Sequence, residues 1–307
     1  MGYADGYYYG QGRIICDTST FSVGDTIRVR SMTDSSKVWN QQVATVGTAL
    51  VFTVPCYDYY KICTVQTIND TLTEIGGVYK TVDYGQTLFI NVLNKSSLAG
   101  IQAILNAHQE TQILNIGDEV TIEVSNAPWV MQIADINRYS SHEVIFVSKL
   151  AWQTNRWAGN ASGYYADNDL RTKVQSFYSY IAETDRQYIS ARTKSGHISA
   201  YQNAGYKDFS DKIWIPNAKE VLGDYPDTGY RGSPNIAPLQ FSLFTTQENR
   251  VRLNSSDLPV TWWTCDGSAQ APTYYYAWGI SATGTSSFNT NTTTNYIVPC
   301  FILTEAS

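Results

Sequence analysis

Charge is scarce in this chain. Only 16% of its 307 residues are Asp, Glu, Lys or Arg, against about a quarter in an ordinary globular domain. The balance is acidic, net −6 with a pI near 5.1. No basic stripe is present, so nucleic acid is not an expected partner. Histidine is rarer still: His108, His142 and His197 are isolated, and none stands in an H-E-x-x-H or other metal-ligand spacing. The five cysteines, at 16, 56, 63, 265 and 300, are scattered and odd in number, without a C-x-x-C pair. That excludes a zinc knuckle and favours buried free thiols. Cys56 and Cys63 could be neighbours across a strand turn, and Cys265 and Cys300 both lie near the C-terminal strands. No apolar run of about eighteen residues exists, so membrane insertion is not expected. The first ten residues lack the basic and apolar segments of a signal peptide. A protein of this kind that acts outside cells is expected to leave on a particle released by lysis.

Polarity comes instead from Ser, Thr, Asn, Gln and Tyr. The 23 tyrosines outnumber the 10 phenylalanines, a bias that suits a surface both adhesive and soluble. Extracellular and virion β-proteins have this composition more often than enzymes do. The hydrophobic share, 43%, is enough to bury a core, and the length allows two domains.

Residues 12–93 read as β throughout. Gly12–Cys16, Thr26–Ser31, Lys37–Val43, Ala49–Val54, Tyr59–Thr67, Thr71–Tyr79 and Gln86–Val92 are rich in β-branched and aromatic residues. Turn residues separate them at roughly ten-residue spacing, which predicts a small β-sandwich over 1–95. The phrases Gly24-Asp25-Thr26-Ile27-Arg28-Val29 and Ala49-Leu50-Val51-Phe52-Thr53-Val54-Pro55 resemble the immunoglobulin-like or carboxypeptidase-regulatory-like modules of gut-phage and surface proteins. A short helix comes next, capped by Ser96 or Ser97, with Leu98, Ile101, Ile104 and Leu105 at helical spacing. It is expected to act as a linker over 96–113.

From Leu114 onward the pattern is α+β. Strands are expected over 116–124, 129–136 and 143–148. An amphipathic helix starts at Asp169 and carries Leu170, Val174, Phe177 and Ile181 on one face. Lys212–Pro216 reads as a short strand, and Asn217 caps the helical turn after it. Residues 155–168 and 223–240 are long polar loops.

Taken in order, these features resemble the C-type-lectin-like superfamily in its formylglycine-generating branch, in a subfamily common in gut bacteria and their phages. The likeness covers 114–304. It rests on Trp129 in one strand, the strand Ile145–Ser148, the Leu170-Arg171 helix, Lys212-Ile213-Trp214-Ile215-Pro216-Asn217-Ala218-Lys219-Glu220-Val221, the Trp262-Trp263 strand, a Gly-containing hairpin and the closing Val298-Pro299-Cys300-Phe301-Ile302-Leu303. Two arginines usual in the subfamily are absent, at the positions of Cys265 and Val298. Any role that depended on them does not carry over.

The resemblance implies a mainly β protein: a small sandwich, then a C-type-lectin-like domain over 114–307. It also implies a phage tail fibre or tail tip protein of the virion, which attaches to a host cell-surface glycan or protein. Other tail or baseplate proteins are its expected partners, and a homotrimer its expected assembly. Phage receptor-binding proteins and the variable proteins of diversity-generating retroelements use this fold. They vary loops near the final strands toward Asn, Tyr, Ser, Thr and Asp. The tract Tyr274–Asn295 is rich in those types, and aromatic residues interleaved with small polar ones are the mixture of a recognition surface. The expected ligand-binding residues are Trp262, Asp266, Tyr274, Tyr276, Trp278, Phe288, Asn289 and Asn291. Strand alternation would expose either Tyr274, Tyr276 and Trp278 or the opposite set. Trp262 and Trp263 should face opposite ways, one into the core and one flooring the site.

The rival reading is an enzyme of the formylglycine-generating type, which would need Cys265 and Cys300 as its reactive thiols, or a bacterial surface protein. No acid–base pair accompanies the aromatic tract, and no catalytic residue is expected. The E-P-N or Q-P-D triplet of sugar-binding C-type lectins is missing. Asp224, Asp227, Asp257, Asp266 and Asn254 are left as oxygen ligands for a hard cation, but no metal or organic cofactor is expected.

Overall fold

A computed structural model of the chain describes residues 3–4, 7–8, 10–68, 71–91, 95–158, 163–199, 206–224, 239–268 and 276–306. Strands dominate, so the protein is mainly β. The chain divides into two compact units, Met1–Leu114 and Asn115–Ser307.

The first unit contains strands β1 (Gln11–Asp17), β2 (Thr26–Ser31), β3 (Val38–Gln42), β4 (Leu50–Pro55), β5 (Asp58–Ile68), β6 (Thr71–Val82) and β7 (Thr87–Asn91). They form two sheets, ordered β4-β1-β7 and β3-β2-β5-β6. Strict alternation drives this arrangement: in β2, Ile27 and Val29 point inward while Arg28 and Arg30 point out. Ile14, Phe52, Val54 and Ile90 from one sheet share a core with Ile27, Val29, Tyr60, Ile62 and Val82 from the other. The Tyr60 hydroxyl, buried with its ring, donates to Pro55 O at 2.7 Å. Helices α1 (Leu98–Asn106) and α2 (Glu110–Ile113) come after the strands. The stretch 96–113, read as a linker, lies inside this unit. Its start is tied down there: Ser97 Oγ accepts from Gly100 N and donates to Thr20 O, and Ser96 Oγ bonds Asp25. Leu98, Ile101, Ile104 and Leu105 are buried.

In the second unit β8 (Glu119–Val124), β9 (Ala127–Ile136) and β10 (Glu143–Ser148) form an antiparallel meander. Every residue of β10 is buried, so both of its faces are covered. Trp129 Nε1 donates to Ser148 Oγ at 2.8 Å, tying β9 to the end of β10. After β11 (Thr154–Arg156) comes helix α3 (Asp169–Tyr180), capped by Asn168, with Leu170, Val174 and Phe177 buried. Arg171 on α3 grips Asp211 with two hydrogen bonds, Nε at 2.9 Å and Nη2 at 2.8 Å. Asp211 ends β13 (Tyr206–Asp211), the partner of β12 (Arg192–Ser199) in a hairpin that the sequence pattern did not reveal. The segment around Trp214 was expected as a strand. It makes only a bridge, exchanging backbone hydrogen bonds with Cys300. Helix α4 (Ala218–Leu222) is next, and the Glu220 carboxylate in its first turn accepts from the backbone N–H of Asn217. Strands β14 (Trp262–Ser268), β15 (Tyr276–Ile280), β16 (Ser286–Thr290) and β17 (Thr294–Tyr296) join β11 in a sheet ordered β11-β17-β14-β15-β16. The closing strand β18 (Cys300–Thr304) pairs with β10.

A buried polar network holds β12, α4 and β14 in place. Lys194 on β12 and Glu220 on α4 form an ion pair with side chains 4% and 1% exposed. Glu220 also accepts from Tyr139 OH at 2.6 Å and from Asn217 N at 2.8 Å. The Lys194 ammonium lies 5.4 Å from the Trp214 ring centre, and Asn217 Nδ2 donates to Ser195 O. Asp266 on β14 accepts from Ala218 N at 2.7 Å, at the positive end of α4. Burial pushes the Tyr139 phenol far above its ordinary range, and the Glu220 charge adds to it.

Breaking such a pair strands a charge in the interior. Lys194→Met should cost about 3–5 kcal/mol, and adding Glu220→Gln should recover part of that loss. Chemical denaturation of the single and double variants measures the coupling. A strictly additive double variant would mean that the two side chains do not interact.

Candidate functional site

The C-terminal hairpin starts from β14, which lies inside the sheet between β17 and β15. Trp262 stands opposite Ile280, Trp263 opposite Gly279, Trp278 opposite Phe288 and Tyr276 opposite Thr290. Pleating therefore places Tyr276, Trp278, Phe288 and Thr290 on one face of the hairpin, and Ala277 and Asn289 on the other. A side chain at 279 would meet Trp262 O at 2.6 Å, so only glycine fits there. The turn at 281–285 needs Gly284 for the same kind of reason: its φ is +82°, and a side chain there would run into Gln247 O.

On the aromatic face Tyr276 and Phe288 stack with ring centres 4.3 Å apart and planes 6° from parallel. Trp278 meets Phe288 at 5.1 Å and 51°. Exposure is graded: Phe288 is 38% exposed, Tyr276 is half-buried and Trp278 is 5% exposed. Phe288 belongs to β16, the edge strand of the sheet, and its outer surface meets solvent. Small polar groups lie along the same hairpin, Ser287 and Asn289 on the face opposite the rings. Asn289 Nδ2 donates to Ser287 Oγ at 2.7 Å. The hydroxyls of Ser281, Thr283 and Thr285 bond one another across the turn, and Thr290 bonds Thr293 at 2.9 Å.

Of the residues expected to bind a ligand, Tyr276, Phe288 and Asn289 come together on this hairpin, Asn289 on its reverse side. Tyr274 lies outside the described residues. Four others are interior rather than exposed. Trp262 is fully buried, donates to Arg250 O at 3.1 Å and packs near Phe244. Its neighbour Trp263 is fully buried on the other face and donates to Asn155 O at 2.8 Å. Neither Trp floors an open site, because β14 is an interior strand covered on both faces. Asp266 is buried with one oxygen on the α4 N-terminus. Trp278 is base rather than surface. Asn291 is 1% exposed, and its backbone oxygen accepts from Ala158 N.

Two of the oxygen ligands considered for a cation have other work, Asp266 on the α4 N-terminus and Asn254 in its own turn. Asn254 Oδ1 accepts from Ser256 N and Leu258 N, closing its own turn, and its amide donates to Tyr296 OH. Asp227 lies outside the described residues. Cys265 and Cys300 are buried free thiols. The backbone around Trp214–Pro216 separates them: Cys265 N donates to Pro216 O, and Cys300 pairs with Trp214. Burial pushes both thiols well above their ordinary range, so neither is a thiolate at neutral pH.

No protein-family model, no curated protein and no solved structure matches the chain.

Trp278→Ala should cost about 3–5 kcal/mol of stability, as a buried large aromatic does. Phe288→Ala should cost under about 1 kcal/mol, since its outer face is already in water. Melting curves of the two variants test the grading; equal losses would contradict it. Thiol titration with Ellman's reagent should find Cys265 and Cys300 unreactive until denaturant is added. Fast labelling of either in the native state would show that the strands around them open readily.

Proposed function

We propose that this chain is a phage tail fibre or tail tip protein that recognises the host cell surface. In this reading the first unit is an immunoglobulin-like attachment or spacer module. The second is a C-type-lectin-like domain that binds a surface glycan or protein. The observation that carries it is the Tyr276–Phe288 stack, a partly exposed aromatic shelf on an edge hairpin that also carries Ser and Thr hydroxyls. Such a shelf offers a flat apolar face to a sugar ring or an apolar epitope, and the hydroxyls offer adaptable hydrogen bonds. The element order gives further support. Trp129, Ser148, Arg171, Asn217 and Glu220, all among the residues that carry the family resemblance, each make a defined structural bond.

Binding rather than catalysis is the activity proposed. The formylglycine-generating alternative needs reactive thiols at Cys265 and Cys300, and their burial works against it. The protein acts in the virion, beside other tail or baseplate proteins, as a homo-oligomer for which a trimer is proposed. Several weak sites on one particle then act together.

The test is adsorption of the purified full chain to whole cells from a panel of bacterial isolates. A central aromatic anchor costs about 2 kcal/mol or more on truncation, roughly thirtyfold in affinity. Tyr276→Ala and Phe288→Ala should therefore lose adsorption to any isolate that the wild type binds, with melting temperatures nearly kept. Full adsorption by a folded double variant would move recognition away from the hairpin.

A further inference from the structure

The outer face of the β3-β2-β5-β6 sheet gathers three cations around one carboxylate. Its register sets them in rungs. Gln42, Thr26, Val65 and Glu74 lie across the four strands, then Asn40, Arg28 and Cys63, then Val38, Arg30, Lys61 and Tyr79. Glu74 is shared by all the cations. Lys61 donates to Oε2 at 3.0 Å, and Arg30 Nε lies 2.8 Å from Oε1 without the alignment of a hydrogen bond. Arg28 Nη1 reaches the same oxygen only at 3.4 Å. Three positive charges against one negative leave this face cationic, on a chain whose net charge is −6.

Donors are left over as well as charge. Arg28 gives Nε to Asn40 Oδ1 at 2.9 Å. Its Nη2 and both terminal nitrogens of Arg30 make no hydrogen bond to any described residue, and they are not among the buried atoms. The two side chains are 16% and 31% exposed, so a ligand reaches them from solvent. A guanidinium presents such donors in the geometry that a planar carboxylate matches.

Arg28 lines a cleft of about 340 Å³ with Thr26, Asn40, Gln41, Gln42 and Val65, and no carboxylate lines it. The walls are therefore mostly amides and a hydroxyl. Gln41 is engaged with Val51 O, whereas Asn40 and Gln42 are exposed. An amide both donates and accepts, and so does a sugar hydroxyl. A hydroxyl-rich ligand uses these walls more fully than an acidic side chain does. Further along the same face, Tyr59 and Tyr79 stack with ring centres 5.8 Å apart, 44% and 45% exposed. The Lys61 ammonium lies 6.0 Å from the Tyr79 ring centre. Exposed tyrosine rings give a flat apolar surface beside a polar one.

We propose that this face binds an acidic saccharide, its carboxylates on the free guanidinium nitrogens of Arg28 and Arg30 and its hydroxyls on Thr26, Asn40 and Gln42. The site lies wholly within the first unit and does not depend on how the aromatic hairpin is used.

Titration calorimetry on the full chain tests it at fixed ionic strength. The probes are trigalacturonate, its methyl ester, which keeps the hydroxyls and loses the charge, and triglutamate, which keeps the charge and loses the sugar. Trigalacturonate should bind saturably, and more weakly as sodium chloride is raised. The ester and the peptide should each bind roughly tenfold or more weakly, as expected for loss of a charge-assisted hydrogen bond or of several neutral ones. Arg28→Gln should cost roughly tenfold in affinity, and Gln42→Ala, at an exposed position that does not threaten the fold, roughly threefold. Lys149→Gln removes an exposed cation of the second unit and should change nothing. No saturable binding, equal binding of the ester, or wild-type affinity in folded Arg28→Gln and Gln42→Ala overturns the proposal. An equal loss in Lys149→Gln overturns it too, since the attraction is then diffuse. Triglutamate binding as tightly as the sugar overturns the ligand class in favour of an acidic peptide.

Discussion

The second unit depends on a bond between two side chains that water never reaches. Lys194 and Glu220 come from a hairpin and a helix with no sequence proximity, and each would be intolerable in the interior without the other. Their pairing sets the place of α4. The N-terminus of α4 in turn supplies the N–H that Asp266 accepts, and so fixes β14. Because β14 aligns β15 by register, an ion pair far from the hairpin in sequence determines where the aromatic shelf stands. Hydrophobic burial alone would tolerate a sliding helix. The directional requirements of Glu220, which takes bonds from Lys194, Tyr139 and Asn217, do not.

The aromatic residues of the C-terminal region divide by depth rather than by type. Trp262 and Trp263 are wholly interior, and each indole N–H is satisfied by a backbone oxygen. Trp278 forms a base, Tyr276 a middle layer and Phe288 the face that meets solvent. A surface built on this plan is stiff, because the exposed ring rests on rings that cannot move without opening the core. Stiffness lowers the ordering cost of binding.

Much of this was legible in the sequence, for identifiable reasons. Every strand segment expected over 12–93 has a counterpart, since alternation such as Thr26-Ile27-Arg28-Val29-Arg30 leaves little choice of structure or face. The α3 helix and the short helix that starts after Asn217 were equally readable, because both are local. The features that could not be read depend on distance in the chain. Arg192-Thr193-Lys194-Ser195-Gly196-His197 has no apolar alternation, so neither its hairpin nor the burial of Lys194 was visible. The depth of Trp262, Asp266 and Trp278 comes from β14 and β15 being interior strands, and strand order is not encoded in local pattern.

The first unit has a strand arrangement suited to tension. Strands β1 and β7 run parallel and side by side, in register from Arg13 opposite Thr87 to Asp17 opposite Asn91. A pull on the chain ahead of β1 and behind β7 draws these strands past each other lengthwise. The bonds between them then share the load at once and cannot open one after another, as they would in a hairpin pulled from its free ends. A module joined in this way is a mechanical clamp. At that pairing the unit resists being drawn out lengthwise.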